Sequence, residues 1–206
     1  MKTAVISVTT PNFHPVSDIT TPTHFAFAKR HGYHYECMET TTENCMWDKV
    51  DLIRHYLNVG YDRVLWIDAD AAVTNVACIL DYIVPQTADA GVYLTEDING
   101  INSGVMLIVN HPLVQQFMHA VCTHGKTLFG TDPTPEQQAI RHFSQENRYK
   151  NVVKFVTQTM MNSYFPNSYD YPGAEEAWWQ ESDFILHLPG ITNDVRIEIL
   201  NKTLGK

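Results

Sequence analysis

At 206 residues, with 44% hydrophobic and 18% charged side chains, the chain has the balance of one globular domain that buries a core without disulfides or structural metals. A net charge of −9 with no Lys/Arg cluster argues against a nucleic-acid partner, because a phosphate backbone needs a basic patch. No run approaches the roughly 20 apolar residues of a membrane span, and Cys37, Cys45, Cys78 and Cys122 show no C-x-x-C spacing, so reduced thiols in a cytosolic setting are expected.

In chain order, Thr3 to Val8 predicts a first core strand rather than a secretory leader, followed by the turn-rich Thr9-Thr10-Pro11-Asn12. His24 to His31 predicts a helix stopped by Gly32, and Tyr33 to Met38 alternates as a second strand. Met46, Val50, Ile53 and Leu57 recur at helical spacing, closed by Gly60. The apolar run Val64 to Ile67 is a short buried strand. Val76 to Ile83 predicts a short helix broken by Pro85. Gly91 to Leu94 and Gly104 to Val109 are strand candidates joined by the polar segment Thr95 to Ser103. Leu113 to Cys122 and Pro135 to Phe143 predict helices, and Val152 to Val156 and Phe184 to Leu188 predict late strands. Strands alternating with helices point to an α/β fold with a mostly parallel central sheet flanked by helices.

The strand Val64 to Ile67 runs into Asp68-Ala69-Asp70. In open α/β sheets, ligands bind beyond the C-terminal ends of the strands. Alternation along an extended chain points Asp68 and Asp70 the same way, with the small Ala69 between them. Two converging carboxylates make a cage for a hard divalent cation that keeps positions open for phosphate oxygens. A turn would more often follow with Gly or Pro than with Ala71-Ala72-Val73, which weighs against a surface turn. The reading is a metal-dependent enzyme acting on a diphosphate-bearing substrate.

Trp47-Asp48-Lys49-Val50, Tyr61 to Asn75, Gly100-Ile101-Asn102-Ser103-Gly104-Val105-Met106-Leu107-Ile108, Glu136-Gln137-Gln138-Ala139-Ile140 and His187-Leu188-Pro189-Gly190 follow one another in that order. Together they resemble glycosyltransferase family 34, the galactosyl/mannosyl/xylosyltransferases, with family 8 a more distant relative. The resemblance covers nearly the whole chain, 1–206 as a single domain, and its specificity lies in the ordered set. It implies a Rossmann-like GT-A fold and transfer of a sugar from a nucleotide donor, most often UDP-linked, to a glycan or similar hydroxyl acceptor with retention of configuration. It also implies that Asp68 and Asp70 bind Mn²⁺ or Mg²⁺ bridging the donor's phosphates, with His187 as a third ligand. An imidazole beside two carboxylates leans toward Mn²⁺.

The same resemblance places Glu136 and Gln137 near the reacting carbon, although Glu136 stands where the family carries Asp, one methylene shorter. The dipole of a helix starting after Pro133 and Pro135 would also favour Glu136. Gln137 is too weak a nucleophile for double displacement, so a front-face reaction is expected. Asn102, Ser103 and Gly104 either form a tight turn or grip the donor sugar, Gly104 admitting it close to backbone. Thr9 and Thr10 fall where GT-A folds place base and ribose. Lys49 is either a phosphate or base contact or a solvated helix lysine, and Gly190 places backbone near the diphosphate. Tyr164, Phe165, Tyr169, Tyr171, Trp178 and Trp179 are either an acceptor wall or the core of a long loop.

Other classes weigh less. A haloacid-dehalogenase-type phosphatase also places D-x-D after an apolar strand, but on its first strand and with Thr or Val where Ala72 stands. A nucleotidyltransferase would open with a Gly-rich basic loop, which Thr9 to His14 is not. A non-catalytic sugar- or cation-binding module remains as the alternative without turnover. Family relatives in eukaryotes are Golgi membrane proteins, and a soluble cytosolic or virus-encoded enzyme is expected here.

Overall fold

The computed structural model describes residues 1–41, 45–166 and 174–205. Nine strands are named in chain order: β1 (Thr3–Thr9), β2 (His34–Glu39), β3 (Arg63–Ile67), β4 (Ala71–Val73), β5 (Gly91–Asp97), β6 (Gly100–Val109), β7 (Val153–Phe155), β8 (Ser163–Tyr164) and β9 (Ile185–His187). The helices are α1 (His14–His31), α2 (Cys45–Asn58), α3 (Leu80–Ile83), α4 (Pro112–Phe129), α5 (Pro135–Ser144), α6 (Gln158–Met161) and α7 (Asn193–Leu204).

The main sheet has the order β2-β1-β3-β6-β5-β7. β6 pairs antiparallel with both neighbours and the remaining pairings are parallel, so β6 alone runs against the other strands. β1 and β3 are buried along their whole length, as central strands covered on both faces must be. Alternation then divides the core. Ala4, Ile6, Val8, Val64, Trp66, Met106 and Ile108 face the layer of α2, α4 and α5. Val5, Leu65, Ile67, Val105 and Leu107 face Phe27 and Ala28 of α1, with Val73 and Leu80. A second sheet, β4-β9-β8, packs between α1 and α7 through Val16, Ala72, Leu186, Leu188, Ile199 and Leu200.

The departures from the sequence expectation have local causes. α1 begins at His14, not His24, although Ser17, Thr20, Thr21, Pro22 and Thr23 are weak helix formers. Tertiary bonds explain the difference: Thr20 Oγ1 donates to the Ala69 carbonyl (2.7 Å), and Thr23 Oγ1 accepts the Val73 N–H (2.9 Å). The expected helix from Val76 forms only at Leu80–Ile83, because Asn75 Oδ1 accepts the Ala77 N–H (3.1 Å) in a side-chain-closed turn. The polar segment Thr95 to Ser103 extends both strands into a β5–β6 hairpin that turns at Ile98-Asn99, ahead of Gly100 with φ +95°. In α7, Val195, Ile197 and Ile199 alternate like a strand, which hid this helix from a helical pattern search.

α1 also contributes His24, fully buried, with Nδ1 3.1 Å from Ser7 Oγ and Nε2 2.6 Å from the Ala71 carbonyl. Burial lowers its pKa from 6.5 to about 4, only partly opposed by the bond to Ala71. The folded state thus holds a neutral imidazole where the unfolded chain takes up a proton. Stability is complete above about pH 6.5 and falls as pH drops toward 4, by up to about 3 kcal/mol from this residue alone. Denaturant midpoints measured from pH 7 to pH 4 should show that slope, and His24→Gln should flatten it; an unchanged slope would remove His24 as its source.

Candidate active site

The C-terminal ends of β1 and β3, the first residues of β6, the end of β9, α2 and the first turn of α5 meet around a cavity of about 430 Å³. The residues that the sequence suggested for donor, metal and reacting carbon line it: Thr9, Thr10, Lys49, Asp68, Ala69, Asp70, Asn102, Ser103, Gly104, Glu136, Gln137, His187 and Gly190. Phe13, Cys45, Asp97, Asn99 and Thr134 line it as well.

The two aspartates reach the cavity by a different route from the one expected. The β3 ladder ends with the Asp68 N–H on the Gly104 carbonyl (2.8 Å), and the chain then turns, Ala71 N–H donating to the Asp68 carbonyl (3.0 Å). A turn therefore brings Asp68 and Asp70 together, rather than extended alternation. Thr20 holds that turn through Ala69, and Leu188 N–H donates to the Asp70 carbonyl (3.1 Å), which joins it to the segment after β9.

The carboxylates sit in unlike surroundings. Asp68 Oδ1 accepts from Trp66 Nε1 (2.6 Å) and from the Lys49 ammonium (3.0 Å). Burial pushes the Asp68 carboxyl up, Lys49 pulls it down and Asp70 pushes it up again, leaving it raised. For Asp70 burial also acts upward, but His187 and Arg196 outweigh it and hold the carboxyl at about 2. Arg196 Nη2 donates to Asp70 Oδ2 (2.9 Å), and its Nε donates to the Leu188 carbonyl (2.9 Å). Arg196 comes from α7 and was not foreseen.

His187 Nε2 lies 3.2 Å from Asp70 Oδ1, and its Nδ1 lies 2.7 Å from Asn162 Oδ1. Ligand atoms of Asp68, Asp70 and His187 fall within 4.8 Å of one another. Two oxygens and an imidazole nitrogen at that spacing fit a divalent ion with positions left for other ligands. Gly104 has a structural role here: a Cβ on it would lie 2.1 Å from His187 Cε1, so the imidazole occupies the face that the sequence reading left for the sugar. Asn102 lies in β6, not in a turn, and its Oδ1 accepts the Gly104 N–H (2.9 Å).

Lys49 is neither a solvated lysine nor free to reach out. It is buried, its ammonium 3.0 Å from Asp68 Oδ1 and 3.0 Å from Glu136 Oε1, and it donates to the Ser103 carbonyl (3.2 Å). Burial alone would lower its pKa, but Asp68 and Glu136 raise it above the usual lysine range. Glu136 Oε1 also accepts from Ser103 Oγ (2.9 Å), while Oε2 is buried without a partner among the described residues. Gln137 Oε1 accepts the Ser103 N–H (3.0 Å). Thr9 Oγ1 donates to Ser17 Oγ (2.9 Å). Gly190 adopts φ +69° on the rim.

No described member of the aromatic stretch lines the cavity. Tyr164 is buried with its ring against His187, and Phe165 and Trp179 pack on the α1–α7 core. Tyr169 and Tyr171 lie outside the described residues. The four cysteines are free, and among the described residues no helix is long and apolar enough to cross a membrane.

Because Lys49 neutralises two carboxylates at once, Lys49→Met should destabilise the protein by about 3–5 kcal/mol, the usual cost of stranding a buried charge. Urea denaturation at neutral pH measures it, and adding Glu136→Gln should recover part of the loss. A Lys49→Met variant as stable as wild type would show that the ammonium is not what balances this cluster.

The architecture is that of GT-A glycosyltransferases. A glycosyltransferase involved in the glycosylation of the major capsid of PBCV-1 superposes with a TM-score of 0.79 at 17% identity, covering 98% of this chain and 100% of its own. The glycosyltransferase GlyE of Streptococcus pneumoniae TIGR4 gives 0.64 at 13% identity, over 100% of this chain and 64% of its own. An active-site glutamine-to-glutamate mutant of LgtC gives 0.56 at 10% identity, over 98% and 95%. No curated protein matches the sequence. Residues 77–196 match a family of glycosyltransferases, a segment that contains Asn102, Glu136, Gln137, His187 and Arg196 and begins after the D-x-D turn. Over that segment, more than half its length, the chain belongs to the galactosyl transferase GMA12/MNN10 family.

Proposed function

We propose that this glycosyltransferase moves a sugar from a nucleotide donor, most simply a UDP-sugar, to a hydroxyl of a glycan acceptor, with retention and with a divalent cation. The observation that carries the reading is the convergence of Asp68 and Asp70, on the turn between β3 and β4, with His187 at the end of β9. Those three residues would hold Mn²⁺ or Mg²⁺, which supplies Lewis-acid stabilisation of the charge on the departing diphosphate.

The chain's own groups take the remaining roles. Thr10 and the backbone at Gly190 lie on the cavity rim, where base, ribose and diphosphate oxygens find donors. Glu136 Oε2, without a partner among the described residues, is an acceptor for a donor-sugar hydroxyl, and Lys49 and Ser103 fix its orientation. Gln137 is the residue assigned to the anomeric carbon. Its carbonyl oxygen already accepts from Ser103, which favours a polar support over a nucleophile. Retention then follows from a front-face step: the bond from acceptor oxygen to the anomeric carbon forms as the bond to phosphate breaks. The acceptor proton passes to the departing phosphate oxygen.

Thermal unfolding with UDP, GDP or phosphate, each with and without Mn²⁺, tests donor and metal together. At ligand near 100 times Kd, UDP with Mn²⁺ should raise Tm by about 5–10 °C. Asp70→Asn, which keeps an acceptor for Arg196, should abolish both the shift and sugar transfer. Stabilisation by UDP without metal would overturn the metal assignment. Stabilisation by phosphate alone would favour a phosphatase.

A further inference from the structure

The Asp68–Asp70–His187 cluster works only if His187 turns a lone pair, not an N–H, toward the cation. We propose that Asn162, held in one orientation by Asn102, fixes the His187 tautomer and so makes its Nε2 a ligand; this rests on the metal-dependent reading above.

The polarity can be followed atom by atom. Asp97 carries a carboxylate that only accepts, and Asn102 faces it, so the atom 3.1 Å from Asp97 Oδ2 is the Asn102 amide nitrogen. The second hydrogen of that nitrogen goes to the Tyr164 hydroxyl (2.7 Å), which itself donates to Asp97 Oδ2 (2.6 Å). Asn102 Oδ1 therefore points the other way, and the Gly104 N–H, which only donates, fixes it there independently (2.9 Å). Asn162 meets this oxygen with its own amide nitrogen (3.0 Å), whose other hydrogen goes to Thr95 Oγ1 (2.8 Å). Only Asn162 Oδ1 is left for His187 Nδ1, 2.7 Å away, so Nδ1 carries the proton and, in the neutral ring, Nε2 is the nitrogen with the lone pair.

Flipping Asn162 would set its oxygen against Asn102 Oδ1. Flipping Asn102 as well would set an oxygen against Asp97 and an N–H against the Gly104 N–H. Asn162, Thr95 and His187 are buried, so water does not soften either mismatch. Nε2 then faces Asp70 Oδ1 at 3.2 Å, a contact that either a proton or a metal ion between the two atoms satisfies. Asn162 is a positioning residue: it acts on the site through His187 and Asn102.

Nitrogen-15 NMR of the His187 ring at pH 8.5, without metal, reads the tautomer directly, and Mn²⁺ titration reads the consequence. Wild type should show protonated Nδ1. Asn162→Leu, similar in shape but without polar atoms, should lose that preference and bind Mn²⁺ roughly 10- to 100-fold more weakly. Asn162→Asp keeps an acceptor for Nδ1–H and should keep the tautomer, at some cost in stability beside Asn102. Protonated Nε2 in wild type, or an unchanged tautomer in Asn162→Leu, would overturn the proposal, and the wild-type spectrum decides even if the leucine variant does not fold. Absence of Mn²⁺ binding with the expected tautomers would instead count against the metal-dependent function and leave the tautomer device standing.

Discussion

The His187 imidazole occupies the space that a Cβ would fill on Gly104, and much of the site depends on that contact. It is one of the points where the small β4-β9-β8 sheet reaches the main sheet, beside the antiparallel β3–β6 pair. Any side chain at position 104 would push the ring off by more than the few tenths of an ångström a packed interior can give. The same residue lends its carbonyl to Asp68 and its N–H to Asn102, so one glycine locates a carboxylate, an amide and an imidazole together.

Charge imposes the second constraint. Asp68, Asp70 and Glu136 lie around one cavity in a chain that is already acidic, and three carboxylates so placed would repel one another. Two buried or half-buried cations divide the work. Lys49 bridges Asp68 and Glu136 on the α2 side, and Arg196 pairs with Asp70 on the α7 side. The two aspartates of one short motif are thereby driven apart in proton affinity: Asp70 is held ionised and Asp68 is raised. Environment, not residue type, separates their behaviour.

Much of this was legible in the sequence because it rests on local pattern. The buried strand ahead of Asp68, the apolar spacing of α2 and the glycine stops are short-range signals. The ordered motifs brought Asn102, Glu136, Gln137 and His187 to one cavity. What stayed hidden depends on partners far along the chain. Half of α1 is written in poor helix formers whose hydroxyls are used on residues 69–73. Tyr164, which the sequence left open between an acceptor wall and a loop core, is an interior hydrogen-bonding group. Asn162 and Arg196 carry no motif; their meaning comes from His187 and Asp70, 25 and 126 residues away.

That dispersal bears on how the site responds to ligand. Asp70 sits on the turn after β3, His187 ends β9 and Arg196 belongs to α7, so the Asp70–His187 pair and its support draw on the turn between the two sheets, the small sheet and the last helix. Opening any one of these elements separates the ligand atoms, and a molecule bound across them must therefore hold the elements together. Local opening of α7, which is anchored by buried Ile199 and Leu200, would carry Arg196 away from Asp70. Ligand binding at Asp70 would suppress that motion through Arg196, making α7 an element whose protection reports occupancy of the site.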